Sequence, residues 1–182
     1  MPDQPDDLDE VKKNPKLCAA LMEYMKRTQC DENFFFYFDK GNAEALYEKY
    51  LSHDAKMQVN LPAPLDRRVQ ALKDDFTHRD WDKLLKDCRK SIKELVESDT
   101  LPAFYQSREF EKYVRKERMG DPKKAAKLLG IENVKLLEEA MLAAAMGDAR
   151  EADGLLKQLA REEHMKEETA AIRKALENYG FG

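Results

Sequence analysis

The sequence predicts an all-α protein, on three observations. Leucine occurs 21 times against nine for isoleucine and valine together, and leucine favours helices where β-branched residues favour strands. From Trp81 the apolar residues fall at 81, 84, 85, 88, 92, 95 and 96, the i, i+3, i+4, i+7 stripe of one helix face. The third is punctuation: Asp121 and Pro122 form a helix start, and Gly130 stands one short helix later as its stop.

The elements follow in chain order. Residues 1–13 are acidic, contain proline and lack a period, so they read as a flexible acidic tail. Leu17, Leu21, Tyr24 and Met25 make an amphipathic helix ending near Arg27. A second helix opens on Asn33 and carries Phe34-Phe35-Phe36-Tyr37-Phe38 up to the breaker Lys40-Gly41-Asn42. Ala45, Leu46, Tyr50 and Leu51 give the stripe of a short third helix. Val59 to Pro64 holds two prolines and reads as a loop, followed by helices near 65–75 and 78–98. Pro102 suits the first turn of a helix through Gln106, and Ser107 opens another over Phe110 and Val114. After Gly130, helices are expected from about Glu132 to Met146 and from Ala149 to Tyr179, the last with a stripe at 165, 169, 172, 176 and 179. Phe36, Leu46, Tyr50, Trp81, Leu84, Ile92 and Phe104 are the expected core. Residues 118–182 are too few to stand easily alone and are expected to pack on the preceding helices.

Composition excludes several classes of function. The 182 residues carry 36 acids and 32 bases, a net charge of −4, with no basic stripe in the sequence to meet phosphates, so no nucleic-acid partner is expected. No apolar run approaches the ~20 residues that span a bilayer. Cys18, Cys30 and Cys88 have neither the even count nor the spacing of a disulfide framework, and no paired Cys or His motif offers a metal site, which suits a reduced, cytoplasmic protein. His53, His78 and His164 lie far apart among charged residues and read as surface histidines. No phosphate loop and no nucleophile elbow occurs. No catalytic residue, cofactor or metal is expected.

The unusual positions are polar residues at helix ends. Asn33 follows two acids at a helix start, Asn60 stands in a proline-bounded loop, and Asp99-Thr100 marks the end of the long helix. Each has an ordinary reading as a cap or turn former. Together they can also line one end of a helical bundle as a protein-binding rim.

Five segments in order resemble the RGS domain, the regulator of heterotrimeric G-protein signalling. Glu32-Asn33-Phe34-Phe35-Phe36-Tyr37 is similar to the family's Glu-Asn-hydrophobic-x-Phe-Trp. Ala45-Leu46-Tyr47-Glu48-Lys49-Tyr50-Leu51 and Val59-Asn60-Leu61 resemble its next two motifs. Trp81-Asp82 matches the Phe-Asp that opens the long helix. Ser98-Asp99-Thr100-Leu101-Pro102-Ala103-Phe104, with Ser107 and Tyr113, resembles the ending. The likeness covers about residues 14–117, and residues 118–182 lie beyond it. Pro62 stands where an acid is common, Ala103 where a base often steadies the asparagine loop, and Cys30 replaces a frequent Ser.

The resemblance implies an RGS-like helical fold, an antiparallel four-helix bundle plus a terminal-helix subdomain, with extra C-terminal helices. It implies a GTP-bound Gα partner, met by Cys30, Glu32, Asn33, Asn60, Leu95, Asp99 and Thr100, and acceleration of GTP hydrolysis without any catalytic group of its own. Recruitment to the inner face of the plasma membrane would then come through Gα. Two alternatives stay open: an RGS-homology scaffold that binds other signalling proteins, and a helical adaptor that meets a second partner through its C-terminal helices.

Overall fold

The computed structural model describes residues 4–162, and no strand occurs among them. They divide into two compact units, one spanning Pro5–Ser107 and one beginning at Arg108 and taking in Gln4.

The first unit opens with α1 (Leu8–Lys13), where Asp7 accepts from the backbone N–H groups of Asp9 and Glu10. This corrects the reading of residues 1–13 as a loose tail. Acids in the first turn and lysines in the last complement the helix dipole, and Leu8 and Val11 are fully buried. Lys93 fastens the helix, its Nζ lying 2.8 Å from Asp9 Oδ2 and 3.2 Å from Asp7 Oδ2. The Tyr37 hydroxyl donates to Asp9 at 2.8 Å, and the Leu8 N–H donates to Glu97 at 2.8 Å.

Asn14 caps α2 (Pro15–Thr28), which buries Leu17, Leu21 and Met25 along one face. The turn at Gln29 leads into α3 (Asp31–Phe38). A short α4 (Ala43–Leu46) widens into a π-turn over Tyr47–Leu51. α5 (Ala63–Leu72) starts earlier than the prolines suggest, because Pro64 falls in its first turn, where a missing N–H costs nothing.

The long helix α6 (Trp81–Leu95) does not stop where a cap was expected. It continues through a π-turn at Val96–Thr100 into α7 (Leu101–Tyr105), and Thr100 itself is helical at φ −74° and ψ −46°. The Leu101 N–H reaches back to the Val96 carbonyl. This wider ring suits the approach to Pro102, which brings no N–H to an α-helical ladder. The seven expected core residues are all 2% exposed or less. Trp81 meets Phe76 and Tyr47 with ring centroids 5.6 and 6.4 Å away, and its Nε1–H donates to the Asp75 carbonyl at 2.9 Å.

The second unit contains α8 (Arg108–Glu117), α9 (Pro122–Leu129), α10 (Val134–Met146) and α11 (Ala149–Glu162). Asp121 caps α9 through the N–H groups of Lys123 and Lys124. Gly130 and Gly147 close α9 and α10 at φ 67° and 88°, the left-handed region a β-carbon disfavours. Ala125, Ala126, Ile131, Leu137, Ala140, Met141, Leu156 and Leu159 form its buried cluster. Arg115 ties α8 to α10 through Glu138. The stripe from 165 to 179, and His164, lie outside the described residues. No helix among the described residues is long and apolar enough to cross a membrane.

Candidate functional site

The polar residues of interest lie on three supports within the first unit. The first is the turn into α3. Gln29 adopts φ 56°, a left-handed residue that ends α2, and the Cys30 N–H returns to the Met25 carbonyl at 3.0 Å. Cys30 is then the residue before the helix, with its Sγ 3.3 Å from the Thr28 hydroxyl and its thiol pushed up by burial. Glu32 is half-buried, and that burial raises its carboxyl above the usual range.

Asn33 is not a cap. It sits inside α3, only 6% exposed, and its Oδ1 is buried with no hydrogen-bond partner. Such an acceptor costs ~1–3 kcal/mol when nothing satisfies it.

The second support is the loop after the first π-turn. Val59 is buried, and its N–H donates to the Tyr50 carbonyl at 2.9 Å, so the base of the loop is pinned while Asn60 beside it is exposed. Tyr50 links this segment to α3, its ring 5.6 Å from that of Phe36 and its hydroxyl donating to Asp39 at 3.0 Å. Lys49 also donates to Asp39, and these bonds, led by the lysine, hold that carboxyl below its usual range.

The third support is the end of α6. Leu95 and Thr100 are half-buried, Val96 between them is buried, and Asp99 is exposed, accepting from the Ser98 hydroxyl at 3.0 Å. Helices α3 and α6 run antiparallel. Lys93 lies over the Tyr37 ring, whereas Arg89, one turn earlier, donates to the carbonyl of Asp39, two residues later. That direction carries the start of α3, with Glu32 and Asn33, towards the end of α6, with Leu95, Asp99 and Thr100. Asn60 stands on its own loop, joined to α3 through Tyr50 and Phe36.

The same helices correct the reading that the sequence holds no basic stripe. Lys86, Arg89, Lys90 and Lys93 share one side of α6 and line a cavity with Lys40. Their i, i+3, i+4, i+7 spacing was legible, but Lys40 comes from a distant segment. The other reactive side chains are occupied with structure. His53 pairs with Asp66 at 3.1 Å, His78 Nδ1 accepts from the Asp80 N–H at 3.2 Å, and burial pushes the Cys88 thiol up to about 12. Among the described residues no three His, Cys, Asp or Glu side chains gather as a metal site.

The family model described as the regulator of G protein signaling domain matches residues 7–113. No curated protein and no solved structure matches the chain. The matched stretch begins at the cap of α1, the helix that tail-like composition concealed, and runs through the rest of the first unit into α8. It is more than half of the 182 residues, and its fold is helical throughout as the family requires: the chain belongs to the RGS family, whose domains regulate G-protein signalling.

Proposed function

We propose that this domain accelerates GTP hydrolysis by a heterotrimeric Gα subunit, by holding its switch segments in their transition-state shape. Gα carries its catalytic arginine in cis, so a partner needs only to supply rigidity and well-aimed hydrogen bonds. Binding energy available only in the transition-state shape lowers the barrier. Asn60 braces the switch that positions the attacking water. Cys30, Glu32 and Asn33 meet a second switch. Leu95, Asp99 and Thr100 form the floor, with Asp99 accepting backbone N–H bonds.

One observation supports this reading above the others. The Asn60 side chain makes no hydrogen bond to the described residues, yet its neighbour Val59 is buried and bonded to Tyr50. A free amide on a fixed support suits a preorganised contact and does nothing for the domain's own stability.

The test is single-turnover GTP hydrolysis by Gα. Asn60→Ala should slow the stimulated rate roughly 5- to 150-fold, the equivalent of ~1–3 kcal/mol, while the variant's own Tm stays nearly constant. Binding should be stronger to Gα loaded with GDP and aluminium fluoride than to Gα with GDP alone. Ala103 and Pro62, which depart from the family pattern, favour the scaffold alternative. If the parent chain leaves hydrolysis unchanged across Gα classes, the scaffold reading replaces the activator.

A further inference from the structure

We infer that the outer face of α9, in the second unit, is a contact for an anionic lipid surface, made through Lys123, Lys124, Lys127 and Leu128. Leu128 is 63% exposed, more than any other large apolar side chain among the described residues, and Phe35 follows at 37%. The three lysines are exposed as well. At 3.6 residues per turn these four side chains fall within one arc of roughly 140°. Ala125 and Ala126 lie on the opposite side, buried in the cluster shared with α10 and α11, and Leu129 packs against that cluster.

The charge on this face is uncompensated. None of the three lysines forms an ion pair with a described residue, and α9 itself holds no acid. Asp121, just before the helix, has its carboxylate turned to the N–H groups of Lys123 and Lys124, at 2.9 and 3.3 Å. The next acid in sequence is Glu132, beyond the Gly130 turn. Eight residues thus carry three positive charges in a chain whose net charge is −4.

The composition of the face decides between partners. The cores of protein interfaces are depleted in lysine and rely on aromatic and arginine anchors, and this face offers neither. A lipid surface needs no matching pocket. It accepts one apolar side chain among its acyl carbons while lysine stems lie flat and their ammonium groups reach the anionic headgroups. The helix is capped at both ends before any lipid arrives, so no folding cost falls on binding. One leucine and three lysines make a weak, reversible contact, of the kind that adds to a second attachment.

The experiment uses the full chain and needs no Gα. The protein is sedimented with vesicles of phosphatidylcholine, with and without phosphatidylserine, at millimolar lipid and low salt. Binding is expected only with phosphatidylserine, and added salt should weaken it. Lys124→Ala with Lys127→Ala should weaken it roughly 20- to 30-fold, about fivefold for each lysine. Leu128→Ser should weaken it about tenfold and leave the Tm unchanged. Lys135→Ala with Lys157→Ala, which removes lysines paired to Glu139 and Asp153, should change nothing. Leu128→Trp reports position: brominated lipid should quench its indole in the bound state, whereas the parent's sole tryptophan, Trp81, is 2% exposed and should stay unquenched. Equal binding to both vesicles, binding that survives loss of Lys124 and Lys127, or no quenching of Leu128→Trp overturns the inference. So does a fall of several degrees in the Tm of Leu128→Ser, which would show that the leucine packs against the chain itself.

Discussion

The two units bury their helices by different means. The first packs large rings: Phe36, Tyr50, Trp81 and Phe104 are all at 2% exposure or below. In the second unit the buried rings Phe110 and Tyr113 belong to α8; among the described residues the cluster formed by α9, α10 and α11 holds no ring, and Ala125, Ala126 and Ala140 are among its most buried members. Rings fill space between helices set apart, whereas alanines let helices approach until their backbones nearly touch. The first arrangement suits a unit that must fix loops and helix ends in particular places, because each ring locks several elements at once. The second suits a hairpin such as α10 and α11, joined across Gly147.

The contrast predicts opposite weak points. Trp81→Ala should have the largest effect, ~3–5 kcal/mol, since it removes a buried ring, its contacts with Phe76 and Tyr47, and a hydrogen bond to Asp75. Chemical denaturation of the parent and the variant measures it, and a midpoint shift equivalent to less than ~1 kcal/mol would show that the ring cluster does not organise the first unit. In the second unit the damaging change is enlargement. Ala140→Leu should cost ~1–3 kcal/mol by overpacking, whereas the same change at the exposed Ala19 should cost little. Equal tolerance at both positions would mean that α10 is not closely approached.

The smallest effect is electrostatic and belongs to α1. Asp7 and Asp9 are held below the ordinary carboxylate range, chiefly by hydrogen bonds from Lys93. A carboxyl lowered in the folded state stabilises it above the unfolded value of about 3.9, and that contribution fades as pH falls through the folded value. The Lys93 ammonium is raised by the same pairing, so its contribution is present below its unfolded value of about 10.4 and is lost as pH rises through the folded one. Stability profiles of the parent and Lys93→Met should therefore differ slightly near neutral pH and converge at both extremes. A gap that persists after both carboxyls have been protonated in the folded protein would assign the effect of Lys93 to packing of its stem instead.

The second unit was the more legible in sequence. Asp121-Pro122, Gly130 and Gly147 act locally, and each stands where its helix begins or ends. In the first unit, long-range contacts override local signals. The tail-like composition concealed α1, whose helix is fixed by Lys93 and Glu97 some 84–89 residues away. Asn33 and Thr100 have the chemistry of caps, yet burial in one case and a continuing helix in the other remove that task. The π-turns leave no mark in apolar periodicity, so Asp99 could be placed near a helix end but not on its true support. The rim residues rest on likeness of motif alone, and the cationic patch is not legible in the sequence because Lys40 comes beside Lys86 only in the folded chain.

The buried, unpartnered Oδ1 of Asn33 carries a last consequence. A side chain of similar branched shape without the acceptor, as in Asn33→Leu, is expected to raise the Tm of the isolated chain, because it removes the desolvation cost of that oxygen. Under the activator reading the same change should slow stimulated GTP hydrolysis. Asn33 would then mark a trade-off between stability and activity: selection for thermal stability alone would favour its loss, and selection for signalling would restore it.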